Sequence, residues 1–315
     1  MSHILVTGAT GQIGSELTPA LRKRYGNDNV VAAGHKSKPV QEILESGPFE
    51  YIDVRDFGSI EKIVKKYDID TIYHLAAILS AVAETNPQHA WDVNTNGLYN
   101  VLEAARNHGC SMFFASSVAA FGPSAPANNT PQDTIQRPNT MYGVTKTAGE
   151  LLCDYYFRRF GVDTRGLRFP GLISYETLPG GGTTDYAVEI FYGAIRNKRY
   201  ACFLKQGTCL DMMYMPDAIR AAIELMEADP GRLKHRNAFN VTAMSLLPED
   251  LYAEIQKHIP EFTMTYKVDP VRQAIADTWP DRMDDRAARE EWGWKPEYDL
   301  PAMTKEMIEK LSARL

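Results

Sequence analysis

His3-Ile4-Leu5-Val6-Thr7-Gly8-Ala9-Thr10-Gly11-Gln12-Ile13-Gly14 decides the fold. Residues 3–6 are an apolar, β-branched run that reads as a strand, and 12–25 carry the spacing of a helix. Between them lie Gly8, Gly11 and Gly14, where a strand turns sharply into a helix N-terminus. Such a turn lets backbone N–H groups approach a pyrophosphate, so Gly8, Gly11, Gln12, Ile13 and Gly14 are candidate dinucleotide ligands. The spacing G-x-x-G-x-x-G differs from the commoner G-x-G-x-x-G, and a purely structural turn is the competing reading.

The alternation continues outward. Strands are expected over 30–33, 71–75, 111–115 and 163–168, with helices over 59–67, 87–107 and 141–160. This βαβα order predicts an α/β, doubly wound parallel sheet of the Rossmann type. After Pro170 the pattern loosens; strands over 238–241 and 264–268 and helices over 248–258 and 301–313 read as a smaller C-terminal substrate-binding lobe. The division expected is 1–170 for the dinucleotide domain and 171–315 for the lobe, interleaved with the end of the sheet.

Composition excludes other classes. The chain has 315 residues, 34 Lys+Arg against 40 Asp+Glu, and four cysteines. A net charge of −6 without a basic block gives no footprint for nucleic acid. The longest uncharged stretch, 107–132, is broken by Gly, Pro and Asn, so no membrane span or membrane partner is expected. Residues 1–10 carry no secretory pattern, and a cytoplasmic location follows as the expectation. Cys110, Cys153, Cys202 and Cys209 form no C-x-x-C pair and read as small hydrophobes, and the scattered histidines give no metal site. His74 is read as packing beside the third strand. No G-x-S-x-G elbow supports a hydrolase.

About 20 residues beyond the last glycine, NAD sites usually place an acid for the ribose 2′-hydroxyl. Here the sequence is Ala33-Gly34-His35-Lys36. His35 and Lys36 can meet a 2′-phosphate, so NADP stays open beside NAD; Asp53 can accept from an adenine amino group. Further on, Tyr142-Gly143-Val144-Thr145-Lys146 sets a phenol and an ammonium one helical turn apart. A nearby cation favours phenolate, which makes such a tyrosine a usable acid/base. Ser116 and Ser117 sit at the expected carboxyl end of a strand.

In this order the motifs resemble the extended short-chain dehydrogenase/reductase family. The likeness is carried by Gly8 to Gly14, Asp53-Val54, His74 to Ala77, Val93 to Gly97, Ser117 to Gly122, Tyr142 to Lys146, and Trp292 to Pro296. It implies Tyr142 as acid/base, Lys146 as its partner and ribose ligand, and Ser117 as the donor to a substrate hydroxyl. It adds Val54, Leu75, Ala76, Ala77 and Asn94 to the coenzyme-binding set, with Asn94 bracing backbone. The family's default activity is epimerisation or dehydration of nucleotide sugars.

Three segments favour a smaller substrate: 168–175, 76–80 and Pro179-Gly180-Gly181-Gly182-Thr183-Thr184-Asp185-Tyr186-Ala187. The last offers a glycine turn, hydroxyl caps and free N–H groups suited to a carboxylate. These stretches are similar to those of short-chain-type L-threonine 3-dehydrogenases. That resemblance implies an amino acid as substrate, contacted by Ser80 on the loop after a core strand, and by Thr183 and Thr184. Asp185 can pair with an ammonium and Trp279 can close the cleft. It also implies NAD as coenzyme, oxidation of the β-hydroxyl to a ketone, and a homodimer packed through 87–107 and 141–160. Leu98, Val101, Leu102, Leu151 and Leu152 can serve either that interface or the core.

Overall fold

The computed structural model describes residues 2–178 and 180–315; Met1 and Pro179, the first residue of the PGGGTTDYA run, lie outside the described residues. Strands β1 (Ile4–Thr7), β2 (Val30–Gly34), β3 (Phe49–Tyr51), β4 (Thr71–His74), β5 (Ser111–Ser117) and β6 (Thr164–Phe169) enter one sheet in chain order. β7 (Gly171–Ile173), β8 (Arg199–Cys202) and β9 (Leu210–Tyr214) leave it, and β10 (Phe239–Asn240) returns, before β11 (Met244–Leu246) and β12 (Thr263–Tyr266). The sheet is parallel throughout, with spatial order β10-β6-β5-β4-β1-β2-β3. The expected doubly wound architecture is therefore present.

Strands β1, β2 and β6 are fully buried because helices cover both faces of the sheet. Side chains alternate across β1: Ile4 and Val6 join one core with Leu17, Leu21 and Trp294, whereas Leu5 joins the opposite core with Leu98, Val101 and Leu102. This resolves part of the earlier ambiguity, since those three helical residues are wholly buried inside the protomer. Leu152 is half-buried there and Leu151 points outward, 62% exposed.

Strand order reverses on either side of β1, whose neighbours are β2 and β4. Their carboxyl ends splay chain segments apart and leave a crevice, the usual ligand position in such sheets.

Two departures from the expected elements bear on the site. The short strand β3 and the helix Gln41–Glu45 were too brief to leave a periodic signal, so His74 ends the fourth strand rather than the third. The helix expected over 87–107 runs as Pro87–Trp91, a π-helical turn Asp92–Asn96, and Gly97–His108. The wide turn places Asn94 where its Oδ1 accepts from Ile78 N at 2.7 Å and its Nδ2 donates to Ile78 O at 3.1 Å. Two backbone hydrogen bonds offset the cost of the irregular turn.

The C-terminal lobe contains the sheet β11-β9-β7 and the parallel pair β12-β8. Helices Tyr186–Asn197, Pro248–Gln256 and Leu300–Ser312 enclose its apolar core. Among the described residues, no helix is long and apolar enough to cross a membrane. Cys110, Cys153 and Cys202 are buried and Cys209 is half-buried, all as free thiols.

Candidate active site

The crevice is built first by glycine. Gly8 ends β1 with φ +74°, and a Cβ there would lie 2.7 Å from Ala76 N. At Gly14 a Cβ would fall 2.3 Å from Gly8 O. The turn can close only without side chains at these positions. The helix Gln12–Tyr25 starts at Gly11 with no side-chain cap, so its first N–H groups open toward the crevice. A backbone cradle of this shape fits a pyrophosphate.

The crevice holds about 1030 Å³ of empty space, its open mouth included. The structure brings together there Gly8, Gly11, Gln12, Ile13, Gly14, Leu75, Ala77, Ser80, Ser117, Tyr142, Lys146, Thr183, Thr184, Asp185 and Trp279. All come from the sequence reading. Ala76 lies directly beneath Gly8.

The long helix Met141–Phe160 starts where Thr140 Oγ1 accepts from Gly143 N at 3.1 Å. This cap fixes Tyr142 and Lys146 on one face, opposite the end of β5. Tyr142 is half-buried in the crevice wall. Burial pushes the phenol up to about 12, and a hydrogen bond with Ser117 pulls the other way. Lys146 is driven down to about 8 by burial, with Glu150 opposing. Its Nζ donates to Ala115 O at 2.6 Å and lies 5.3 Å from the centre of the Tyr142 ring. The cation stands beside the phenol as expected, and burial is the leading influence on the phenol.

The two serines separate clearly. Both line the crevice, but the Ser116 hydroxyl is spent as a donor to Glu150, whereas the Ser117 hydroxyl accepts from Ala119 N at 3.2 Å and stands beside Tyr142. Ser117 is the serine available to a substrate.

On the opposite wall, Thr183 is 1% exposed and its hydroxyl has no hydrogen-bond partner. A buried, unpaired hydroxyl facing a crevice is costly without a ligand. Asp185 corrects the sequence reading: its Oδ2 accepts from Gly181 N and Gly182 N, both at 2.7 Å. The glycine turn thus spends its N–H groups on its own aspartate, leaving those two N–H groups unavailable to a substrate carboxylate. Ser80 opens the short helix Ser80–Thr85 rather than sitting on a loop, and is buried. Trp279 belongs to the lobe's core and also lines the crevice.

Several named residues stand outside this cavity lining. Asp53 is bound by Arg55 Nε at 2.9 Å and Nη2 at 2.6 Å, which holds its carboxyl near 2, well below the ordinary range. His35 Nε2 lies 3.4 Å from the same carboxylate, and Lys36 is exposed. Val54 is buried against Gly97, and Asn94 braces the Ile78 backbone and Thr145 from behind.

The crevice also contains Ala115, Ser116 and Val118 around the end of β5, and Leu79, Phe169, Pro170, Gly171, Leu172 and Gly182, which lie in the three segments the sequence reading tied to the substrate without being named there as individual contacts. Phe169 to Leu172 follow the carboxyl end of β6, where the general rule for parallel sheets would have pointed. Among the described residues there is no group of three His, Cys, Asp or Glu side chains placed to hold a metal ion.

Comparison with known proteins agrees with this geometry. Residues 4–242 match the family described as "NAD dependent epimerase/dehydratase family". A structure of L-threonine dehydrogenase from Clostridium difficile is 58% identical, with TM-score 0.98, covering 100% of this chain and 98% of that one. A protein described as monomeric L-threonine 3-dehydrogenase from a metagenome is 47% identical, with TM-score 0.95, covering 99% of each chain. An "uncharacterized epimerase/dehydratase" of Staphylococcus haemolyticus is 54% identical over 100% of this chain and 99% of its own. With a nicotinamide-type cradle, a tyrosine–lysine pair and a matching model over most of its length, the chain belongs to the NAD-dependent epimerase/dehydratase family of extended short-chain dehydrogenase/reductase enzymes.

Proposed function

We propose that this enzyme oxidises the β-hydroxyl of L-threonine to the ketone of 2-amino-3-oxobutyrate, with NAD as coenzyme. The observation that carries this reading is the pairing, across one crevice, of Ser117, Tyr142 and Lys146 with the buried, unpartnered hydroxyl of Thr183. A cavity bounded by small hydroxyl side chains, Ser80, Ser117, Thr183 and Thr184 among them, and by Trp279 suits a small polar substrate. The names of the Clostridium and metagenome relatives support the same choice.

The residues divide the work. Gly8, Gly11, Gln12, Ile13 and Gly14 would hold the pyrophosphate, with Leu75 and Ala77 beneath the rest of the coenzyme. When bound, the nicotinamide supplies the hydride acceptor. Ser117 holds the substrate hydroxyl, and Tyr142 takes its proton. Lys146 assists by leaving the Ala115 carbonyl and bringing its charge to bear on the phenolate and ribose. Ser80, Thr183 and Thr184 fix the amino acid's polar groups, and Trp279 excludes water from the lobe side.

The pair of long helices also presents Tyr99, Leu151 and Tyr155 to the outside, 48%, 62% and 53% exposed. Apolar residues exposed together on one helix layer favour a homodimer formed there.

The direct test incubates the purified protein with NAD and either L-threonine or a nucleotide sugar. Net formation of reduced coenzyme with threonine alone is the expected result. Turnover of the sugar without net reduced coenzyme would replace this reading with epimerase or dehydratase activity.

A further inference from the structure

The helix Met141–Phe160 carries three chemistry-bearing residues at successive turns, Tyr142, Lys146 and Glu150, and the reaction proposed above uses only the first two. Glu150 is 2% exposed. Its carboxylate accepts from Ser116 Oγ, from Gln136 Nε2 at 2.6 Å, and from Arg168 Nε and Nη2 at 3.0 and 2.8 Å. Arg168 is held from its other side by Gln132 O at 2.8 Å and Asn240 Oδ1 at 3.0 Å. A carboxylate so fully bound is rigid, and one of its partners lies beside the serine that faces the substrate.

Strand β5 is gripped at consecutive residues by helix residues four apart. Lys146 Nζ takes the Ala115 carbonyl at 2.6 Å, Glu150 takes the Ser116 hydroxyl, and the next residue is Ser117. We infer that Glu150 is a positioning residue for the proposed oxidation, serving as counter-charge to the Lys146 ammonium and as the clamp that sets Ser117 against Tyr142. The inference rests on the reading under Proposed function.

Other groups around Lys146 do not supply that counter-charge. On its own helix stand the half-buried Tyr142 and the buried Cys153. From β4 comes His74, held neutral by burial; from β6 comes Arg168, a second cation. Glu84, on the helix Ser80–Thr85, is exposed and accepts from Met141 N at 2.7 Å; Glu103, on Gly97–His108, is taken by the Tyr156 hydroxyl. Asp92 of the π turn pairs with Arg55 at 3.3 Å, and His89 is exposed. Glu150 also leads the influences that oppose the loss of the Lys146 proton.

The test combines two readouts on the full chain. Competitive labelling of Lys146 by a small amine reagent across pH, read by mass spectrometry, needs no substrate. The pH profile of kcat with threonine reads the consequence. Glu150→Gln is expected to lower the titration midpoint of Lys146 by at least about one pH unit, with the alkaline limb of kcat following it. Glu150→Gln/Arg168→Gln removes both buried charges and leaves no stranded guanidinium; it is expected to shift the midpoint downward by a smaller amount, because loss of the Arg168 cation partly offsets loss of the carboxylate. Glu150→Asp keeps the charge, so it should lower kcat without moving the limb. Ser116→Ala should lower kcat about tenfold with KM and midpoint unchanged.

An unchanged midpoint in the folded Gln variants would overturn the counter-charge role, and full kcat in Ser116→Ala would overturn the clamp. Absence of threonine oxidation by the unsubstituted enzyme, with the labelling midpoint still shifted in Glu150→Gln, would sink the substrate reading and leave the charge pairing standing.

Discussion

Tyr142 presents the sharpest conflict of forces at the level of single residues. Burial raises its pKa to about 12, which opposes the loss of the proton that the proposed oxidation requires, and Lys146 is the cation placed to assist. Tyr142→Phe is accordingly expected to keep melting temperature and coenzyme affinity while kcat falls at least ~10²-fold, the lower range for a positioned acid/base; steady-state kinetics beside a coenzyme titration checks both. Gly34 gives a second expectation. A Cβ there would lie 2.9 Å from the Thr10 methyl, and position 34 itself supplies no carboxylate to repel a 2′-phosphate. The preference for NAD over NADP in kcat/KM should stay within about tenfold, ~1.4 kcal/mol, and Gly34→Asp should widen it. The tyrosine, lysine and serine were legible because their spacing in sequence survives folding. The role of Asp185 was not, since a side chain that turns back to satisfy its own loop looks in sequence like any acid at a helix start.

Among the elements, the glycine turn and the helix Met141–Phe160 were readable to the residue, since one is punctuated by glycine and the other by Thr140 and Gly161 at its ends. The π turn over Asp92–Asn96 was not. It presents Asn94 to the distant Ile78 backbone, a contact that no local pattern records. The segment before helix Tyr186–Asn197 carries a clear test. The Thr183 hydroxyl is buried without a partner, so Thr183→Val should raise KM for threonine about tenfold and leave denaturant stability equal or higher. A hydroxyl that merely capped the helix would show the reverse: lost stability and an unchanged KM.

For the whole molecule, the doubly wound parallel sheet followed from the βαβα rhythm, and β12 of the lobe was legible over 264–268, whereas β7 and β11, three residues each, left no period to read. Association belongs to this scale. Leu151→Glu with Tyr155→Glu should convert a dimer to a folded monomer in sedimentation; a monomeric unsubstituted protein would align it instead with the metagenome relative described as monomeric. So does acid stability. His74, bonded to Thr7 at 2.9 Å, is pushed by burial from 6.5 to about 3. A lowered pKa means that the unfolded chain binds a proton the folded chain refuses. The contribution is therefore complete above about pH 6.5 and is lost toward pH 3, at up to about 1.4 kcal/mol per unit. Denaturation across that window should show a shallower slope in His74→Gln.

The most direct measurement is a crystal structure of the enzyme with coenzyme and L-threonine. The account predicts the β-hydroxyl oxygen within about 3 Å of both Tyr142 Oη and Ser117 Oγ, with Lys146 Nζ released from the Ala115 carbonyl. Threonine seated with that hydroxyl turned away from Tyr142, or bound outside the crevice between the glycine turn and Thr183, would contradict it.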